Sequence, residues 1–341
     1  ICDACHYAEM KKSINWSDRH KELGDLCNRF RRNDGRYDVI VPGSGGKDSV
    51  QAAHTLKYKY NMNPILITWP PALYTGIGRR NFDSWLDAGF ANYTYNQNKK
   101  LHKFLTREAF LNLGHPFQPF ILGQKNLAPR LSVLFDIPLV IFGENEAEYG
   151  NAIEDNEIPT RDPKYYSAEL SLKDLVLGGV PAEQLIKKHG FKLSDLEAYF
   201  PVDPDQIGKT RTEVHYLGYY MKWHPQETYY YSVENSNFMP NDHRTEGSFS
   251  KYSSLDDKID WLNFHTTTIK FGIGRATYDS SQEIRNDDIT RDEGIALVKR
   301  FDGEFPKQYI KDCCEYMNIS LQQYHDAIEK FRSPHLWEKK Y

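Results

Sequence analysis

Short apolar runs separated by stretches of helical periodicity organise the first half of the chain. Residues 38–41 form a β-branched run suited to a buried strand, and Pro42 and Gly43 stop it. From Val50 the apolar positions Val50, Ala53, Leu56 and Tyr60 recur at helical spacing while Lys57 and Lys59 fall on other faces. Asp48 and Ser49 therefore open a helix. The alternation continues with a strand at 63–69, a helix at 80–88, a short strand at 92–95, helical segments at 101–113 and 127–135, and an apolar run at 137–142. Strands separated by helices predict a parallel sheet, with ligands at the strands' carboxyl ends near the topological switch. Thr68, Gly143, Glu144 and Asn145 then lie on the same side as the loop after the first strand. A carboxylate and a carboxamide directly after a buried strand are suited to magnesium, ribose or substrate.

Beyond residue 150 the pattern changes to helices and connections. Ser194 with Glu197, Thr290 with Glu293 and Ser320 with Gln323 fit capping boxes, which are structural signals. The helix from Leu321 carries Leu321, Tyr324, Ile328 and Phe331 on one face, a core stripe. Residues 214–221 offer a fifth strand, and the tyrosines at 229–231 read as packing.

Composition narrows the class. The chain has 341 residues, 40% hydrophobic and 26% charged, enough for a sizeable core and two or three structural units. No apolar run approaches the roughly 20 residues of a membrane span and no signal peptide is evident, so a cytoplasmic location is expected. With 43 basic against 47 acidic residues the net charge is −4, and no general basic field exists to hold nucleic acid. Five cysteines in a chain of this size argue against a disulfide framework.

The loop after the first strand carries the chemistry. Gly43, Gly45 and Gly46 let successive N–H groups face one concave side, where they and the helix's positive end attract an oxyanion such as phosphate. A Walker A loop is excluded, because Asp48 follows Lys47 and Val41 stands where the first glycine belongs. The dinucleotide pattern G-x-G-x-x-G fails too, since Asp48 occupies its third glycine. What remains, SGGKDS at 44–49, resembles the SGGxDS loop of the ATP pyrophosphatases, the PP-loop family. That resemblance implies an α/β, parallel-sheet, Rossmann-like domain of the adenine nucleotide alpha hydrolase type. It also implies cleavage of ATP between its α and β phosphates, with adenylation of a substrate oxygen.

Two later segments, 244–258 and 269–277, are polar, basic and glycine-bearing. Together with SGGKDS, FGENEAEYG at 142–150 and KRFDGEFP at 299–306, they resemble the bacterial N-acetyl sugar amidotransferases of lipopolysaccharide, O-antigen and nonulosonic (pseudaminic or legionaminic type) acid biosynthesis. The resemblance covers nearly the whole chain. It implies conversion of a sugar's acetamido group to an acetamidino group, with ATP, Mg2+ and ammonia and a sugar or nucleotide-sugar substrate. The expected organisation is an N-terminal CxxC segment and helix over 1–35, a PP-loop domain over 36–235 with a helical insertion near 151–211, and a mainly helical substrate-binding region over 236–341. For this chemistry the loop N–H groups with Ser44, Gly45, Gly46 and Ser49 would hold pyrophosphate, Lys47 would supply counter-charge, and Asp48 would bind magnesium or its waters. Thr68, Gly143 and Asn145 would complete the nucleotide site. Lys251, Lys270 and Arg275 would bind a sugar carboxylate or nucleotide phosphates, with room for a bidentate contact at Arg275 between Gly274 and Ala276. Glu144 would orient the acetamido N–H or hold magnesium.

Cys2 and Cys5 make half of a four-thiolate Zn2+ site. The family's pattern has another CxxC upstream, so the remaining ligands are expected before Ile1. Cys27 lies beside the helical stripe Trp16, Leu23, Leu26 and Phe30 and reads as a buried thiol, and Cys313 and Cys314 read as structural. No cysteine sits in G-x-C-x-G, so ammonia is expected from a separate glutaminase of the imidazole-glycerol-phosphate-synthase type with a channel subunit. Two alternatives are a tRNA-thiolating PP-loop enzyme and an inactive ATP-binding scaffold. The acidic balance weighs against the first, and the intact Ser44, Lys47, Asp48 and Ser49 against the second.

Overall fold

The computed structural model describes residues 2–150, 158–169 and 171–338, so parts of the expected helical insertion, 151–157 and 170, lie outside the described residues. The strands are β1 (Val39–Pro42), β2 (Pro64–Thr68), β3 (Asn92–Thr94), β4 (Leu139–Phe142), a small hairpin of β5 (Val176–Leu177) and β6 (Val180–Pro181), and β7 (Glu213–Tyr216). All but the hairpin form one parallel sheet in the order β3-β2-β1-β4-β7. The chain runs from β1 outward through β2 to β3 and returns to β4, so the topological switch lies between β1 and β4. Both strands' carboxyl ends open there, which brings the segment at 43–46 beside the segment at 143–145.

Helices α1 (Asp3–Lys11) and α2 (Trp16–Phe30) precede the sheet, and α3 (Lys47–His54), α4 (Gly76–Asp87), α5 (Lys99–Leu113) and α6 (Gln118–Phe135) alternate with its strands. Central parallel strands are covered on both faces and so read as unbroken apolar runs. Ile40, Ile65, Ile67 and Val140 enter the core shared with α5 and α6, whereas Val39, Val41, Leu66, Leu139 and Ile141 enter the core shared with α2, α3 and α4. The period of two divides each strand between the two cores.

Helix α6 begins well before the expected residue 127. Gly123 and Pro129 are poor helix formers, and Gly123 is there for space, since a Cβ would lie 2.2 Å from the Trp69 ring. Residues 214–221 are only half strand: β7 ends at Tyr216 and the chain turns into a short helix, identified below, where Gly218 packs under Asn145. The capping boxes at Thr290 and Ser320 form as expected. The one at Ser194 does not, because the helix starts at Leu193 and the Asp195 carboxylate accepts the Lys192 N–H instead.

Helices α7 (Ala182–His189), α8 (Leu193–Leu196) and α9 (Pro204–Thr210) lead into β7, and α10 (Leu217–Tyr220) follows it. The remainder is helical: α11 (Pro225–Ser236), α12 (Lys258–Phe271), α13 (Arg275–Arg285), α14 (Arg291–Phe301), α15 (Ile310–Met317) and α16 (Leu321–Phe331). A third apolar cluster joins Ile259, Leu262, Met317, Tyr324 and Ile328 to Phe110 of α5, and so seats the C-terminal helices against the sheet unit. Among the described residues no helix is long and apolar enough to cross a membrane.

Candidate functional site

The loop after β1 is held in shape by its own residues. The Gly43 N–H donates to the Ile67 carbonyl at 3.0 Å, and the Thr68 hydroxyl donates to the Gly43 carbonyl at 2.7 Å. A Cβ at Gly43 would lie 2.2 Å from that of Ser49, and Gly45, at φ +88°, passes so close to Phe82 that a Cβ would lie 2.7 Å from its Cα. Ser49 is buried and its hydroxyl donates to the Gly46 carbonyl at 2.9 Å, which closes the loop onto the first turn of α3. The N–H groups that open α3 have no partner within the helix and carry its positive end. β4 approaches from beneath: a Cβ at Gly143 would lie 2.2 Å from the Asp48 carbonyl oxygen, so only glycine fits.

A cleft of about 230 Å³ opens above this loop. Its floor is the loop with Glu144, and its far wall comes from Tyr252, Ser254, Asp256, Asp260 and Arg275. Two larger hollows, of about 700 and 550 Å³, lie beside the outer strand β7 and at the amino ends of the strands. Neither contains the glycine loop, and in open parallel sheets ligands bind at the carboxyl ends. The smaller cleft is the candidate site.

Its charges are paired closely. Lys47 Nζ lies 2.7 Å from one Asp48 oxygen, and the Trp223 Nε1–H donates to the other at 2.7 Å. The Glu144 carboxyl is pushed up to about 7, first by burial and then by the negative charge of Asp48. Burial raises Asp260 to about 6 against a hydrogen bond from Ser254 and the charge of Arg275. Asp256 is likewise raised by burial, opposed by a hydrogen bond donated by the Ser44 hydroxyl. Arg275 Nε holds Asp279 at 2.8 Å, and Asp279 and Asp260 outweigh the burial that works against its guanidinium charge.

Residues 246–341 match the family model described as "LPS biosynthesis protein WbpG-like, C-terminal domain". The matched segment is the C-terminal portion of this chain. An uncharacterized protein of Methanocaldococcus jannaschii is 34% identical over 67 residues, 20% of this chain and 24% of that protein, so the chain spans about a quarter of the relative it matches. Among solved structures, the U34-tRNA thiolase NcsA from Methanococcus maripaludis with its [4Fe-4S] cluster is similar at 12% identity and a TM-score of 0.36, over 83% of this chain and 78% of that one. A likeness that weak says nothing about activity.

The WbpG-like portion supplies most of the far wall, including Asp256 and Asp260, which the sequence pattern did not single out. Their signal was the acidic pair Asp256 and Asp257 inside the polar segment 244–258. Several residues expected at the site lie elsewhere. Lys251 is exposed and donates to the Asp242 carbonyl at 2.9 Å. Lys270, at the end of α12, donates to the Leu113 carbonyl at 2.6 Å and faces Phe331. Thr68 and Asn145 are buried behind the cleft, where Asn145 donates to the Tyr7 hydroxyl at 2.9 Å and to the Gly218 carbonyl at 3.1 Å. Both fix backbone that bears site residues.

The Cys2 and Cys5 thiols are 3.6 Å apart near Arg285. Among the described residues these two thiols join no group of three or more metal-ligating side chains, and the further zinc ligands expected before Ile1 are not among them. Cys27 and Cys313 are buried, and burial pushes the Cys27 thiol up to about 12. None of the five cysteines lines the cleft.

Proposed function

We propose that the chain is an ATP-dependent amidotransferase of surface-polysaccharide biosynthesis, which turns a sugar's acetamido group into an acetamidino group. The observation that carries this reading is the single cleft that joins the SGGKDS loop to the WbpG-like wall, with Ser44 hydrogen-bonded to Asp256 across it. A phosphate-holding surface and a polar, hydroxyl- and carboxylate-rich surface then face the same volume.

An amide carbonyl is a poor electrophile, so its oxygen must become a leaving group. The oxygen attacks the α-phosphorus of ATP, the bond to pyrophosphate breaks, and the amide N–H proton goes to a base, which leaves an O-adenylyl imidate. Ammonia adds at the imidate carbon, the carbon–oxygen bond breaks, and AMP departs from the amidine. The protein's part is alignment and charge neutralisation. The N–H groups opening α3, with Ser44, face the departing pyrophosphate, and Lys47 supplies the counter-charge. Asp48 would hold the magnesium that arrives with ATP, and the ion would neutralise phosphate charge beside the loop. Glu144, held near neutrality, is suited to receive the amide proton. Arg275 suits a sugar carboxylate or phosphate, and Asp256 and Asp260 suit sugar hydroxyls. No step requires zinc.

Ammonia comes in this proposal from a separate glutaminase, since no cysteine of the chain has the surroundings of a glutaminase nucleophile. Delivery through a channel brings the neutral nucleophile, rather than ammonium, to an imidate that water would otherwise hydrolyse. The test is to incubate the chain with ATP, magnesium, ammonium at alkaline pH and nucleotide-linked acetamido sugars. AMP, pyrophosphate and a product with one oxygen replaced by NH are expected, and glutamine in place of ammonium is expected to give none. No AMP with any acetamido sugar, or sulfur transfer to tRNA instead, would refute the proposal.

A further inference from the structure

The helix that starts after Cys2 and carries Cys5 touches the cleft's supports twice, from one face. Tyr7 and Lys11 stand four residues apart on α1 and so project together. The Tyr7 hydroxyl accepts from Asn145, the neighbour of Glu144. Lys11 is 6% exposed, and its ammonium donates to Glu148 at 2.5 Å, to the Trp223 carbonyl at 3.2 Å and to Asn286 at 3.4 Å, which uses all three protons. Trp223, 3% exposed, then turns its indole N–H onto Asp48 at 2.7 Å. At the other end of α1 the Arg285 side chain hydrogen-bonds Cys5 and donates to the Glu148 carbonyl at 2.8 Å. Contacts therefore run from the cysteine pair at the surface through Arg285 to the buried Glu148 and Lys11, and on through Trp223 to the loop carboxylate.

We propose that Lys11 and Trp223 are positioning residues for Asp48: α1 fixes the Trp223 main chain through Lys11, and the indole fixes the Asp48 carboxylate, the group that would hold magnesium. The inference rests on the amidotransferase reading only for the ligand it assigns to Asp48. A buried ammonium with three partners is rigid, and it pins the main chain from which the Trp223 indole projects. Groups that orient a metal-binding side chain commonly contribute about 10- to 100-fold to metal affinity or activity.

The test compares wild type, Trp223→Phe, the neutral pair Lys11→Met/Glu148→Gln and the triple variant. The neutral pair avoids stranding a buried carboxylate. Nucleotide binding is titrated against magnesium and, separately, without it. The magnesium concentration for half-maximal binding is expected to rise about tenfold in Trp223→Phe and in the neutral pair, with no further rise in the triple variant, while magnesium-free binding stays unchanged. A merely structural role would lower both kinds of binding together. If wild type binds no nucleotide, the amidotransferase reading falls and urea unfolding decides the inference. The midpoint shifts of Trp223→Phe and Asp48→Asn should then combine to less than their sum. Additive midpoints, or magnesium dependence within twofold of wild type in either variant, would overturn the proposal.

Discussion

Replacing Glu144 with glutamine separates what the cleft costs the fold from what it does for chemistry. The carboxyl is held at about 7 instead of the ordinary 4.5, by burial first and by the charge of Asp48 second. The folded protein thus binds this proton more tightly than the unfolded chain does. Its stability contribution is complete below the unfolded value and is lost as pH rises to about 7. A displacement of this size corresponds to at most about 3 kcal/mol between the two ends of the window, and water in the open cleft reduces it to about 1–3 kcal/mol. Glutamine keeps the shape and has no proton to lose. Urea unfolding at about pH 4 and about pH 8 is the assay, with the difference between the two proteins as readout, so that all other titrations cancel. Glu144→Gln is expected to gain on wild type as pH rises and to be the more stable protein at the alkaline end. Pyrophosphate release should fall by about 10²- to 10⁴-fold if the carboxylate takes the amide proton. A pH-independent difference in stability, or a wild type more stable than the variant at about pH 8, would refute the assignment of a strained carboxyl.

Asp48→Asn should leave the fold intact and lower pyrophosphate release by about 10²- to 10³-fold, because it removes the charge beside Lys47 and not a packed side chain; a folded variant that turns over normally would contradict this. Gly143→Ala should cost about 1–3 kcal/mol and weaken ATP binding, read by thermal melting and calorimetry, since its Cβ would lie 2.2 Å from the Asp48 carbonyl between two backbones that cannot retreat. Arg275→Ala should weaken sugar binding, whereas Lys251→Ala and Lys270→Ala should leave it within about twofold, because both lysines bond to backbone outside the cleft. Equal losses in all three would move the sugar site to the lysines.

Much of the sheet was legible because buried parallel strands carry continuous apolar runs, and β1, β2 and β4 do so almost without interruption. The loop's shape was legible because closely spaced glycines between a strand and a helix suit a tight turn, which Gly43 and Gly45 form. Less was readable where a residue's reason is its neighbour. Gly123 and Pro129 interrupt the helical signal of α6, yet the helix runs through them because Trp69 needs the space and packing outweighs propensity. Lys270 looked like an anion binder because it is basic and lies near glycines, and periodicity cannot say that its ammonium turns to a carbonyl on α5.

The far wall was the least legible part, and the reason lies in one buried carboxylate. Asp257 accepts from the Ile259 N–H at 2.9 Å, which caps α12 and is a local, readable event. The same carboxylate also accepts from the Ala72 N–H at 2.6 Å and the Leu73 N–H at 3.2 Å, on the segment that follows β2. Those two bonds join positions more than 180 residues apart in the chain, and no pattern near Asp257 reveals which distant N–H groups it satisfies. Their consequence is Asp256: with its neighbour clamped to the sheet unit, its backbone lies so close to Gly78 that a Cβ there would lie 2.4 Å away, and its carboxylate meets Ser44. The C-terminal portion therefore reaches the glycine loop through backbone amides that any residue except proline could supply, and for that reason the sequence holds almost no record of the contact.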